Sequence, residues 1–385
     1  MNKKLILLFL SASFLFTCIN PKPILSVENE ETTEIPDEPE PIPVRHTLTF
    51  VATGDNLFHE TIINTSLVNG VYNFDSIYAQ VKDIIENADL AFINQETVMG
   101  GASFGYSGYP AFNTPQSLAG TLARTGFDIV NQANNHAMDM GRAGLYATLD
   151  LWDTIEGITV IGARKAGESM RIISANNITL GFLSYTYGLN GLSLPRDNPN
   201  LVSLINRNTM TREIEALRPL CDFLVVSMHW GEEYMLIEPS AGQISLAQFL
   251  AQLDVDLIIG HHPHVLQRFE KLPRANGKET FCFYSLGNFV SHQIERERIL
   301  GAMIALTFVK EDDLLYISDA GLIPVVCHFE RGYANTAVYP FYKYSEELLR
   351  KHVLVNMGRD LSYSSFNNIL NRMDTKIIMR NPFID

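Results

Sequence analysis

Short apolar runs recur along this chain, and each delivers a polar, ligand-type group at its C-terminal end. Residues 47–53 (TLTFVAT) run into Gly54-Asp55, and residues 89–94 (DLAFIN) run into Gln95-Glu96. Residues 128–131 precede Asn134-Asn135-His136, and residues 223–227 (FLVVS) lead to His229. Residues 256–259 lead to Gly260-His261, and residues 281–284 lead to Gly287-Asn288. Runs of this length and β-branched content read as strands. Between them, Phe74, Ile77, Val81, Ile84 and Ile85 recur at helical spacing, as do Leu145, Leu149 and Trp152. Strands alternating with helices predict an α/β fold with mostly parallel pairing and right-handed crossovers. In such sheets the C-terminal strand ends gather along one edge, where binding sites form. Residues 180–187 and 302–309 are expected to add strands, as part of a second sheet.

Taken singly, these polar groups have plain structural readings. Gly54-Asp55 reads as a turn, Glu96 as a solvated strand end, and His136 as a capped core histidine. The run GHHPHVLQ (260–267) is harder to place without a partner, because three imidazoles fall within four positions. Jointly the case is stronger. Of ten histidines, His136, His229, His261, His262 and His264 follow predicted strands, whereas His46, His59, His292, His328 and His352 are scattered. Carboxylate, amide oxygen and imidazole on successive strand ends suit Mn, Fe or Zn, as one or two divalent ions. Glu96 could bridge two ions, and a pair of cations about 3.5–4 Å apart lowers the pKa of a shared water toward neutrality.

The N-terminus reads as an export signal. Lys3 and Lys4 precede an apolar stretch from Leu5 to Phe16, shorter than the roughly 20 residues a spanning helix needs. It ends at Leu15-Phe16-Thr17-Cys18, so residues 1–18 are expected to form a lipoprotein-type signal with Cys18 lipidated, a plain signal peptide and an uncleaved anchor being the alternatives. Residues 19–45 are rich in Pro and Glu and form an expected extended, acidic tether. The folded domain is expected over 46–340, followed by a C-terminal appendage over 341–385. These assignments place the protein outside the cell, at the outer face of the membrane. The net charge of −14 excludes a general nucleic-acid binder, which needs a basic face. Cys221, Cys282 and Cys327 have no metal-type spacing and read as buried free thiols, with a disulfide between two of them as the alternative in an exported protein.

The motifs GDNLFHE (54–60), NQE (94–96), NQANNHAMDMG (131–141), SMHWGEEY (227–234), GHHPHVLQ (260–267) and FYSLGNFV (283–290) together resemble the CapA family of poly-γ-glutamate capsule synthesis proteins. That family is similar to the calcineurin-like metallophosphoesterases. The resemblance spans residues 47–300 and implies a two-sheet sandwich flanked by helices. It implies metal-ligand positions at Asp55, Glu96, Asn135, His229, His261 and His264. It also implies that His136, paired with Asp139, stands where those phosphoesterases carry their catalytic histidine. The chain departs from the phosphoesterase pattern in three places. Leu57 stands where a histidine is usual, leaving His59 as the nearby substitute, and Glu96 stands where the bridging residue is usually Asp. The Gly-His-x-His pattern is stretched, so that His262 could take the role given to His261.

Two functions from different classes follow. In the first, a metal-dependent hydrolase or transferase acts on a phosphoester or an amide-linked polymer, with His136 as general acid oriented by Asp139. In the second, a non-catalytic component of polymer synthesis, export or anchoring uses its metal site to hold an anionic chain such as poly-γ-glutamate, beside membrane-bound synthase components. Leu57 and the phosphate-free polymer favour the second, and the His136–Asp139 pair favours the first.

Overall fold

The structure is a computed structural model that describes residues 43–373, apart from residue 168. The expected signal and most of the expected tether, up to residue 42, lie outside the described residues. In chain order the strands are β1 (Arg45–Asn56), β2 (Leu67–Val68), β3 (Val71–Tyr72), β4 (Leu90–Gln95), β5 (Ile129–Asn131), β6 (Thr159–Ile161), β7 (Arg171–Ala175) and β8 (Ile178–Thr186). They continue as β9 (Phe223–His229), β10 (Leu257–His261), β11 (Leu266–Pro273), β12 (Glu279–Leu286), β13 (Asn288–Val290), β14 (Leu300–Glu311), β15 (Leu314–His328) and β16 (Ala337–Pro340). One sheet has the order β16-β15-β14-β1-β4-β5-β6, with β13 beside the end of β1. The other has the order β11-β12-β10-β9-β8-β7, and β2 and β3 form a small separate hairpin. Within the sheets β1-β4-β5-β6 and β8-β9-β10-β12 pair in parallel, as the helical crossovers require.

Period-two alternation sorts the strand side chains into layers. Phe50 and Ala52 of β1, Phe92 of β4, Phe182 of β8, Val225 of β9 and Ile259 of β10 meet in one core between the sheets. Their neighbours in sequence point outward. Val51, Ile93 and Val130 pack with Ile84, Leu118, Leu122 and Trp152 of the helices over the first sheet. Leu183, Val226 and Ile258 pack with Met210, Ile214 and Leu250 of helices Arg207–Leu217 and Ala241–Gln252 over the second. Both faces of the central strands are therefore buried, which is why they read as nearly continuous apolar runs. The result is the expected sandwich flanked by helices.

Local departures from the sequence reading have packing causes. The apolar spacing at 74–85 predicts one helix, but the chain forms two short ones, Asp75–Tyr78 and Lys82–Glu86. Phe74, Ile77, Val81, Ile84 and Ile85 all remain in one buried cluster, so burial of that face outweighs helix continuity. Beyond Pro340 the chain forms helices Glu346–Lys351, Val353–Asn356 and Tyr363–Leu370. Leu349, Leu354, Phe366 and Leu370 from this segment join the inter-sheet core beside Val326 and Cys327 of β15. Cys282 and Cys327 are buried, Cys221 is half-buried, and all three are free thiols. Among the described residues no helix is long and apolar enough to cross a membrane.

Candidate metal centre

The site lies along the C-terminal ends of β1, β4, β9 and β10. The parallel register sets Asp55 beside Asn94, Asn94 beside Asn131, and His229 beside His261. Asp55 follows Gly54, where strand β1 leaves β14 and turns alongside β13. A Cβ at Gly54 would stand 2.1 Å from the carbonyl oxygen of Gly287, so only glycine permits this approach. A chain of buried hydrogen bonds then orients the carboxylate. Ser184 Oγ donates to Asn131 Oδ1 at 2.6 Å, Asn131 Nδ2 to Asn94 Oδ1 at 2.8 Å, and Asn94 Nδ2 to Asp55 Oδ1 at 2.8 Å. Because Ser184 belongs to β8, this chain ties the two sheets together beneath the site.

Ligand-type atoms converge in overlapping groups. Single donor atoms of Asp55, Glu96 and His264 lie within 4.8 Å of one another, and so do those of Glu96, His229 and His262. Glu96 is common to both groups. His229 Nε2 lies 2.9 Å from Asn135 Oδ1 and 3.4 Å from Glu96 Oε1. Donors held about 2.1 Å from one ion are separated by about 3.0–3.4 Å, so these spacings fit a shared cation. His264 Nε2 lies 3.6 Å from Glu96 Oε1, and its Nδ1 lies 3.0 Å from Asn288 Oδ1. Asn288 Nδ2 faces three acceptors, on His264, Gln293 and Arg298, so its oxygen is the group turned to His264. Asp55 Oδ2 also lies 3.1 Å from this Nδ1, so His264 carries its proton there, between two oxygens, and the Nε2 lone pair faces Glu96.

Both oxygens of Glu96 and Nδ1 of His262 are buried without a hydrogen bond. An unsatisfied buried polar group costs about 1–3 kcal/mol, and more when charged. Such a concentration of orphaned donors and acceptors fits a cation better than it fits a purely structural core. Burial pushes the Glu96 carboxyl well above its usual range, with Asp55 and Glu233 adding repulsion. Asp55 goes the other way: burial would raise it, but His261 and His264 beside it hold it well below the usual range. Burial keeps His229 far below the ordinary imidazole value and brings His262 down to about 3. Both rings are therefore neutral at physiological pH, the form that coordinates metal.

The histidine run resolves by strand alternation. His261 is the last residue of β10 and shares its face with Leu257 and Ile259, so it points into the inter-sheet core and stacks on Phe92. It stays 3.3 Å from Asp55, and both its nitrogens lack a hydrogen bond. His262, one residue past the strand and with a left-handed φ of 95°, is the ring that joins Glu96 and His229. Among the described residues, donor atoms of Asp55, Glu96, His229, His262 and His264 fall into these groups, Asn135 Oδ1 approaches them at His229, and His261 borders them at Asp55. His59 packs edge-on against Phe112 on the site side of the chain, and no metal-type group among the described residues includes it.

His136 belongs to none of these groups. Its Nδ1 lies 2.8 Å from Asp139 Oδ2, which also accepts from the backbone N–H of Phe112, and its ring packs edge-on against Phe112. Donation to Asp139 places the proton on Nδ1 and the lone pair on Nε2. Two other contributors, Tyr187 and Asn288, were not among the expected ligand positions. Tyr187 covers His262 with ring centroids 4.6 Å apart. Asn288 carried one signal, its position directly after Gly287 at a strand end.

The sequence matches the bacterial capsule synthesis protein family PGA_cap over residues 49–293. The capsule biosynthesis protein CapA of Bacillus anthracis is 29% identical over 269 residues, which cover 65% of this chain and 62% of that one. The PGA biosynthesis protein CapA of Bacillus subtilis is 33% identical over 172 residues, 43% of each chain. The chain thus spans less than two thirds of either relative's length. Among solved structures, the calcineurin-like phosphoesterase YfkN of Bacillus subtilis aligns at 13% identity over 86% of this chain and 97% of that one, with a TM-score of 0.42. A putative 5'-nucleotidase from Staphylococcus aureus aligns at 16% identity over 73% and 54%, with a TM-score of 0.47.

Proposed function

This chain belongs to the bacterial capsule synthesis protein family PGA_cap, and from that membership we propose that it is a divalent-metal protein of capsule polymer biosynthesis, serving the synthesis, export or anchoring of a poly-γ-glutamate-like chain. The observation that carries the metal in this reading is the grouping of Asp55, Glu96, His229, His262 and His264 with their orphaned buried atoms. Asn135 Oδ1 adds a sixth donor through its approach to His229. The mixed carboxylate, amide and imidazole set suits Mn, Fe or Zn, and the two groups sharing Glu96 have room for one ion or two. A bound cation would supply Lewis acidity toward a carbonyl, carboxylate or phosphoryl oxygen. Signal and Cys18 would place the domain at the outer face of the membrane, near membrane-bound synthase components.

A second reading, a metal-dependent hydrolase, is favoured by the His136–Asp139 pair. Asp139 fixes the ring and its tautomer, leaving Nε2 to take a proton and return it to a leaving group. Leu57 weighs against phosphatase chemistry because it removes an imidazole beside Asp55.

Elemental analysis of the purified protein, with parallel assays on poly-γ-glutamate and a simple phosphodiester, tests both readings. The first expects metal with no turnover of the phosphodiester. Metal-free protein, with wild type and His229→Ala behaving alike toward added Mn²⁺, would remove the metal from both readings.

A further inference from the structure

We infer that Glu233 is a further ligand of the same centre, a carboxylate supplied from the solvent side by the loop after β9. The inference rests on the metal-protein reading above and extends it to a residue outside the buried set. A carboxylate oxygen of Glu233 and ring nitrogens of His262 and His264 lie within 4.8 Å of one another. Asp55 and Glu96 are fully buried, whereas Glu233 is exposed, so it approaches the two histidines from the mouth.

The loop that carries Glu233 is built to hold it there. Trp230 anchors one end, its Nε1 donating to the Tyr284 carbonyl at 3.0 Å. Gly231 follows with a φ of 90°, and an added Cβ would meet Gln243 at 2.5 Å. The N–H of Tyr234 donates at 2.8 Å to the carbonyl of Pro263, the residue between His262 and His264. That bond fixes the backbone directly after Glu233 above the histidine pair. Tyr234 takes a left-handed φ of 68°, its ring lies 6.2 Å from that of His264, and the Arg298 guanidinium lies 3.5 Å from the centroid of the tyrosine ring. A non-glycine residue in that region is strained, and such strain persists where surrounding contacts over-determine it. Nδ1 of His262, a residue only 3% exposed, is buried with no hydrogen bond.

The chemistry explains the departure at Leu57. An apolar side chain there leaves the site one imidazole short of the usual pattern. A carboxylate on the solvent side of His262 and His264 would bring the donor count back up with a charged oxygen. Glu233 is thus a ligand of divalent cations of the Mn²⁺ and Zn²⁺ class.

Calorimetric titration of the metal-stripped full-length protein with Mn²⁺ tests this without any activity assay. Glu233→Gln keeps shape and removes charge, and Glu232→Gln is the charge-matched neighbour. Glu233→Gln is expected to weaken Mn²⁺ by about tenfold or more, the scale on which even supporting residues act, while Glu232→Gln stays within about twofold by the same scale. Thermal unfolding of the stripped proteins establishes that the variants are folded. Equal weakening in both variants points to bulk charge and overturns the inference, as does unchanged affinity in Glu233→Gln. Wild-type protein that takes up no Mn²⁺ instead removes the metal reading on which the inference rests.

Discussion

Asn288 Oδ1 lies 3.0 Å from His264 Nδ1, which also lies 3.1 Å from Asp55 Oδ2, so a strand-end amide and a carboxylate together hold this nitrogen and leave Nε2 toward Glu96. Replacing Asn288 with Ala is expected to weaken divalent metal by about 10–100-fold, because the ring loses one of the two oxygens that hold its Nδ1. The carbonyls of His264 and Arg298 would also lose a donor, at a cost of about 1–3 kcal/mol each at most. Metal titration alongside thermal unfolding separates the two effects.

His136→Ala divides the two functional readings. His136 touches Asp139 and Phe112 and belongs to none of the metal-type groups found among the described residues. If the protein turns over a substrate, the loss should cost on the order of 10²–10⁴ in rate with metal content unchanged. If it acts by binding, the variant should restore capsule formation to a deletion strain almost fully. Loss of metal in the variant would make His136 a ligand and refute the division of roles.

Gly54→Ala is expected to disrupt the site through the backbone. The new Cβ falls 2.1 Å from the Gly287 carbonyl oxygen, where β1 passes the turn into β13. Overpacking of this kind costs typically about 1–3 kcal/mol and displaces Asp55 with the strand. A lowered melting temperature together with weakened Mn²⁺ binding is the expected outcome. A variant with wild-type values for both would show that the turn can relax.

His352 gives a pH dependence remote from the centre. Its Nδ1 accepts the Leu354 N–H at 3.1 Å and its Nε2 lies 3.3 Å from the Cys327 carbonyl, so the neutral ring is paired at both nitrogens. Burial, with His328 adding repulsion, brings it down to about 4 from the ordinary 6.5. Between those values the unfolded chain binds the proton that the folded chain refuses. Stability is then full above pH 6.5, falls as the pH drops toward 4, and levels off below. The slope from this one residue is at most about 1.4 kcal/mol per pH unit. Urea midpoints for wild type and His352→Gln should differ in their pH dependence across that window, with the variant the flatter of the two.

Cys18→Ala tests the expected anchor. The apolar stretch ending at Leu15-Phe16-Thr17-Cys18 predicts release of the protein from the membrane fraction when the thiol is removed. Unchanged membrane association with an unprocessed N-terminus would point to an uncleaved signal anchor.

What the amino-acid sequence determined by itself is the pattern of apolar runs ending in Asp55, Glu96, Asn135, His229 and the 260–264 histidines. That pattern is local: a buried strand declares itself by composition, and parallel pairing brings its C-terminal end to the common edge. The layering was legible for the same reason, since alternate residues such as Val51 and Ala52 must face opposite cores. Only the tertiary structure separates His261, beside Asp55, from His262, beside Glu96 and His229. The separation turns on the residue at which β10 ends and on a left-handed φ just beyond it. The tertiary structure also decided the supporting contacts, because Ser184, Asn131 and Asn94 meet across the sheets and Asn288 meets His264. Glu233 belongs with them: nothing at positions 232 and 233 distinguishes two exposed glutamates until the Tyr234–Pro263 hydrogen bond hangs one of them over the histidines. Periodicity records which way a side chain faces along its own strand, whereas a loop's direction is set by the partners that folding brings to it.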